Sequence, residues 1–216
     1  MGRSSESDKG VKRAGRGAYH HGDLRNALLA AAADLLEERG PEGLSLREVA
    51  RRCGVSQTAP YRHFATREAL LVALAADAFR AFASRLSQEA AGAAGPAARL
   101  CALGRGYVAF ALENPEKLRL MFGPLSSQKD ASEDLAEAAR AAFALVEDAT
   151  AACLAEPGSR RDIDLAAATL GAWAVVHGLA HLAIDMPLPE DLVDVARRND
   201  LVDRLMTVYI DGLAAP

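Results

Sequence analysis

Residues 45 to 64, SLREVARRCGVSQTAPYRHF, constrain this chain more than any other stretch. Two short helical patterns meet there across a glycine. Ser45 is an N-cap candidate, and Glu48 three residues later completes a capping-box pattern. Leu46, Val49 and Ala50 form an apolar stripe at helical spacing, with Arg47, Arg51 and Arg52 off that stripe. Gly54 can take the left-handed backbone that a tight turn between helices requires. Val55 plugs the angle between the helices. Ser56 is a second N-cap candidate and predicts a second helix through about Phe64. Helix, Gly-containing turn and helix is the arrangement that holds a second helix out for a DNA major groove.

That second segment carries suitable chemistry. Gln57 and Thr58 fall in its first turn, where Gln can pair bidentately with adenine and the Thr methyl can meet the thymine methyl. Tyr61, Arg62 and His63 offer a hydroxyl, a guanidinium and an imidazole, all able to hold phosphate oxygens. Pro60 removes one early helical bond and predicts a slightly distorted first turn. Cys53 lies in the turn region as core or half-exposed.

Taken with the amphipathic helix before it and the TREAL sequence after it, this stretch resembles the DNA-binding domain of the tetracycline-repressor (TetR/AcrR) family. The shared marks are the G-V-S turn, Y-R-H-F, and Thr66, Arg67 and Glu68 at the next helix start. The resemblance covers roughly residues 20 to 75. It implies base reading by Gln57, Thr58 and Arg62, and phosphate contacts from Ser45, Ser56, Tyr61, His63 and Arg67; Arg47 joins them as a DNA-binding candidate. Pro60 departs from the family's commonest pattern, in which Leu often stands there.

Length and composition set the frame for the rest. The 216 residues suffice for a substantial core without disulfides. Strand-forming runs are scarce and helical spacing recurs from residue 23 onward, so the fold class is all-α. Residues 1 to 68 hold 12 Lys or Arg against 9 Asp or Glu, a balance of +3. Residues 69 to 216 hold 13 against 20, a balance of -7. A basic front on an acidic remainder fits one part facing phosphate and another facing something else. Cys53, Cys101 and Cys153 lack metal-type spacing, which predicts no zinc site or disulfide framework and a reduced, cytoplasmic chain. No apolar run reads as a membrane span and no signal-peptide core is seen.

Three regions follow. Residues 1–19 are polar and basic and are predicted to be disordered, either an arm along DNA or a solvated tail. Residues 20–66 form the DNA-binding unit. There Asp23 caps a first helix ended by Gly40, with Leu24, Ala27, Leu28, Ala31, Leu35 and Leu36 as its buried stripe. Residues 67–216 form the second domain. Its predicted helices run from Thr66 to about Ala90, from Pro96 to about Glu113, and from Asn114-Pro115 to near Phe122. Another starts at Asp130 or Ser132 and ends at Pro157-Gly158. The next is capped by Asp162 and stops at Pro187. The last spans about Glu190 to Leu213, with an interruption near Asn199. The total is about nine helices, the usual count in the family it resembles.

Within the second domain, LGAWAVVHGLAHLAI contains Trp173, His177 and Gly178 and resembles the W-x3-H-G core of one subclass of these C-terminal domains. The resemblance implies a homodimer packed through the last two long helices. Residues 162 to 184 are apolar almost all round, which predicts burial on more than one side. Gly171, Ala172, Gly178 and Ala180 permit close helix approach, and Leu201, Leu205, Val208 and Tyr209 give the last helix a stripe. Tyr107, Phe110, Met121, Phe122, Phe143, Trp173 and His177 are the candidates to line an apolar effector pocket. His177, His181 and Asp185 share a helix face, so a metal is an alternative there, without a confident third ligand. No catalytic constellation or cofactor-binding pattern is present.

The sequence therefore points to a DNA-binding regulator, a homodimeric repressor on a near-palindromic operator, released by a small-molecule effector. Two other readings stand beside it: a helical small-molecule or metal-binding protein using His177 and His181, and a DNA-binding dimer with no effector.

Overall fold

The computed structural model describes residues 21–124, 132–160, 162–186 and 194–214. The predicted N-terminal arm lies outside these residues. The fold is all-helical, with eight α-helices among the described residues: α1 (His21–Arg39), α2 (Leu46–Arg52), α3 (Arg67–Ala90), α4 (Pro96–Glu113), α5 (Pro115–Met121), α6 (Glu133–Ala155), α7 (Leu165–Asp185) and α8 (Val195–Asp211). Short 3-10 turns occupy Pro41–Gly43 and Pro60–Arg62.

Local chemistry sets most boundaries. α1 begins at His21, so Asp23 lies inside it rather than capping it, and Gly40 ends it at φ 67°. Thr66 caps α3 by accepting the Ala69 N–H, and Ser132 caps α6 by accepting that of Leu135. Proline opens α4 and α5, where its missing N–H costs no helical bond. α7 departs from the expected cap. Both carboxylate oxygens of Asp162 are taken by Arg160, and Asp164 receives the Ala167 N–H at 2.8 Å instead. The expected interruption of the last helix near Asn199 is absent: α8 runs through it.

α4 is the central helix, with eleven of its eighteen residues buried. α3, α6, α7 and α8 all pack against it. Glycines permit the closest approaches. A Cβ on Gly104 would meet Val176, Val202 and Met206 at 3.1–3.2 Å, and one on Gly171 would sit 2.9 Å from the Tyr209 ring. α1 and α2 form a small head whose core, including Leu28, Leu35, Leu36, Val49 and Phe64, continues into Leu70, Leu71 and Leu74 of α3. The head and the first half of α3 thus share one apolar core.

α7 and α8 leave apolar faces uncovered. In the single chain α7 buries one face only, through Ala168, Thr169, Ala172, Val176, Ala180 and Ala183. Its other face leaves Leu170 64% and Leu182 57% exposed. On α8, Val202 and Met206 are buried while Leu205 faces out and Val208 is 73% exposed. α7 is also long and apolar enough to cross a membrane by length and composition, contrary to the sequence reading. Six of the seven exposed large hydrophobic side chains among the described residues lie on or beside these two helices.

Candidate nucleic-acid interface

The head is built around the turn between α2 and the segment after it. Ser45 caps α2 by accepting the Glu48 N–H at 3.2 Å. The capping box is only half made, because the Glu48 carboxylate turns to Arg51 at 2.5 Å and Arg39 at 3.3 Å. Gly54 follows at φ 67° with open space where a Cβ would lie, so backbone angle rather than crowding requires glycine. Val55 donates its N–H to Ala50 at 3.0 Å and packs half-buried against the core. Cys53 is half-buried, its thiol pointing to the Ala27 carbonyl at 3.4 Å.

The segment from Ser56 to Phe64 departs from a helix further than the slightly distorted first turn expected. It is a chain of tight turns: Ala59 N–H to Ser56, Arg62 N–H to Ala59 and His63 N–H to Pro60, at 2.9 to 3.2 Å. Pro60 explains this. It has no N–H to reach back one α-turn, and its ring is buried under the segment. Only at Phe64 does an α-type bond return, to Pro60 at 2.9 Å. Phe64 is buried, and the Arg25 guanidinium lies 5.5 Å above its ring, a cation–π contact with no sequence signal.

The tight turns still leave one outward surface. Ser56, Gln57, Thr58, Tyr61 and Arg62 are exposed there, with Arg47 exposed on α2. The Ser56 and Thr58 hydroxyls bond each other at 3.2 Å, which fixes Thr58 beside Gln57. His63 is half-buried, and its Nε2 is buried without a partner. Charge is distributed unevenly. Arg52 grips Glu38 at 2.5 Å and holds that carboxyl below its usual range, and Arg51 does the same to Glu48. Among the described residues Arg47 and Arg62 make no such pair, so their charge faces solvent. Arg67 departs most from its expected phosphate contact. Its guanidinium turns inward to the carbonyls of Leu44, at 2.8 Å, and Pro41.

The second domain holds a cleft of about 380 Å³ between α3, α5, α6 and α7. Of the residues predicted to line a pocket, Met121, Phe122, Phe143 and Trp173 do so. Phe79, Leu135, Ala136, Ala139 and Arg140 complete it and were not singled out from sequence. Tyr107 and Phe110 lie behind the cleft instead, buried edge-on against Phe82. His177 joins the same aromatic cluster, 4.9 Å from the Phe122 ring and hydrogen-bonded through Nδ1 to the Tyr107 hydroxyl at 2.6 Å. Burial pushes the Tyr107 phenol far above its ordinary range, so it stays protonated and donates, leaving Nδ1 of a neutral His177 to accept.

Nδ1 of His177 is thus engaged by Tyr107. Asp185 is also engaged: it binds Arg119 at 2.7 Å and lies 3.7 Å from His181 Nδ1. Among the described residues no group of three His, Cys, Asp or Glu side chains gathers to hold an ion. Burial, then the nearby His181, lowers the His177 pKa below its ordinary 6.5. The folded state therefore resists a proton that the unfolded chain accepts, and this contribution to stability is full above about pH 6.5 and shrinks as pH falls. Thermal unfolding midpoints measured between about pH 7.5 and 5.5 should decline for the wild type and decline less for His177→Gln. Equal slopes would remove His177 from the account.

Comparison with known proteins agrees with this architecture. Residues 28–74 match the family model described as bacterial regulatory proteins, tetR family, and residues 100–209 match that of the tetracyclin repressor-like C-terminal domain. The class A tetracycline repressor of Escherichia coli is 52% identical over 50 residues, 23% of each chain. An HTH-type transcriptional repressor of Mycobacterium tuberculosis is 44% identical over 52 residues, 24% of this chain and 28% of that one. These matches span about a quarter of the length of the curated relatives. Over nearly the whole length, the chain resembles a solved protein of unknown function from Rhodococcus sp. RHA1: 36% identity, TM-score 0.77, 92% of this chain and 100% of that one. It shares a fold with the regulator FadR of Bacillus subtilis, solved in complex with stearoyl-CoA, at 13% identity and TM-score 0.66 over 87% of this chain and 98% of that one. Because the C-terminal model alone covers half of the sequence and the N-terminal model spans the head, the chain belongs to the tetR family of bacterial regulatory proteins.

Proposed function

We propose that this protein is a homodimeric transcriptional repressor, acting in the cytoplasm on a near-palindromic operator and released by a small molecule. The observation that carries the reading is the row of exposed Gln57, Thr58, Tyr61 and Arg62 on a rigid head, flanked by the unpaired Arg47. Gln57 and Thr58 read base edges, and Arg62 reads a base or its phosphate. Ser45, Ser56, Tyr61 and Arg47 hold the backbone. His63 is too enclosed for more than a supporting part, and Arg67 acts by shaping the head rather than by touching phosphate.

Two further features support the rest of the proposal. The exposed apolar faces of α7 and α8 suit a second copy of the chain, which supplies the other recognition segment at a half-site about one turn, roughly 34–36 Å, away. The cleft beside Trp173 suits an effector, and the shared fold with a regulator that holds an acyl-CoA fits a ligand-carrying body. A route joins cleft to head. Phe122 lines the cleft and ends α5, the Lys117 N–H at the other end of α5 donates to Glu37 of α1 at 3.2 Å, and Arg119 ties α5 to Asp185 of α7. An effector that displaces Phe122 thus acts on the helix that supports the head, within the limit set by its differential affinity for the two states.

Selection from random duplex DNA tests this. The expected product is an inverted repeat with half-sites about one turn apart, bound with an affinity that falls steeply with added salt. Recovery of no enriched sequence would sink the proposal.

A further inference from the structure

We infer that the cleft beside Trp173 selects an aromatic carboxylate, with the ring against Phe122, Phe143 and Trp173 and the acid group on Arg140. This rests on the reading of that cleft as the effector site. The walls supply the aromatic half of the argument. Phe143 and Trp173 lie 5.1 Å apart at a 40° tilt, and Phe122 stands edge-on to Trp173 at 5.4 Å. Such an arrangement offers ring faces and edges to an entering ring, which aromatic pairs favour over plain contact.

Arg140 supplies the other half. It is the one formally charged side chain lining the cleft, and it is exposed. Among the described residues it makes no ion pair or hydrogen bond. Glu137, one turn earlier on α6, does not pair with it, and Asp134 is committed to Arg80. A guanidinium left open above an apolar floor matches the planar, bidentate geometry of a carboxylate. Two other clefts of similar size lack this selectivity. One, between α1, α3 and α5, carries Asp77 and Lys117 together, and the other, beside His63, carries Arg25 with Glu68 and Asp134. Mixed charge at a rim favours neither sign of ligand.

Trp173 is the sole tryptophan, so its fluorescence reports directly on the cleft. The probes are phenylbutanoate, its neutral counterpart phenylbutanol, and decanoate as an acyl-chain acid. Phenylbutanoate is expected to give a saturable change and to bind about tenfold more tightly than phenylbutanol, the scale of one charge-assisted pair. Arg140→Gln should level the two, and Arg140→Glu should reverse their order. Equal affinity of acid and alcohol for the wild type, or an unchanged preference in Arg140→Gln, overturns the anionic part while leaving the cleft as the effector site. Tighter binding of decanoate overturns the aromatic part in the same way. If none of the three changes Trp173 fluorescence or the unfolding temperature, the cleft is not a ligand site, and the effector half of the proposed function fails with it.

Discussion

Replacing Thr58 and Arg62 together by alanine is expected to lower affinity for the selected duplex by at least about a hundredfold, with dimerisation and unfolding temperature unchanged. A direct base contact is worth roughly 1–3 kcal/mol, and a symmetric dimer loses each contact twice. Both side chains are exposed, and neither supports the head's core. Arg51→Ala is the matched control. It removes one positive charge per chain, as Arg62→Ala does, but Arg51 is already held by Glu48 at 2.5 Å. Its loss should change affinity less than about threefold, in line with an exposed pair that contributes little. If Arg51→Ala and Arg62→Ala prove equally costly, bulk charge rather than the exposed row drives binding, and the assignment of Arg62 is wrong.

The second large effect concerns the uncovered apolar faces. Leu182→Glu on α7 and Val208→Glu on α8 are each expected to weaken dimerisation at least about a hundredfold, close to 3 kcal/mol, because every dimer would bury two unpaired carboxylates. Analytical ultracentrifugation reads this directly. Operator affinity should fall in parallel, since one head alone meets one half-site. Both side chains are more than half exposed in the single chain, so the monomer should keep its helical content. A Val208→Glu protein that stays dimeric would place the interface elsewhere. Co-sedimentation of the wild type with lipid vesicles would instead make the apolar length of α7 the relevant property.

Much of this was legible because it is written in local chemistry. Thr66, Pro96 and the Asn114-Pro115 pair act within one turn of themselves, and each marks the helix start expected of it; of the two starts offered for α6, Ser132 is the one used. The Asp162 and Asp164 choice was not legible, since both are acids before the same apolar run. What decides it is Arg160, which occupies Asp162. The segment after Gly54 was read as a helix from its Ser56 cap, with distortion expected only in the first turn, but the missing N–H of Pro60 tightens the turns as far as His63. Pocket residues were harder still. α4 is buried nearly all round, so nothing in its sequence separates Tyr107 and Phe110, which face the inner cluster, from side chains that reach a cleft. Arg140 was overlooked for the opposite reason: on a charged outer helix face an arginine looks ordinary until its lack of a partner is seen. Arg67 was given a phosphate contact by the family resemblance alone, and only the fold brings the Pro41 and Leu44 carbonyls to it.

That inward turn of Arg67 bears on how the molecule transmits force. The first residue of α3 is bolted to the head, and Leu70, Leu71 and Leu74 extend the same core, so the start of α3 is not a pivot. α3 is 24 residues long, about 36 Å at 1.5 Å per residue. A tilt of about 5° over that lever displaces its tip by about 3 Å, comparable to one base-pair step along B-form DNA. Under the proposed function, a slight rocking of the body is therefore enough to throw the reading edge out of phase with its half-site, and the head need not unfold to let go.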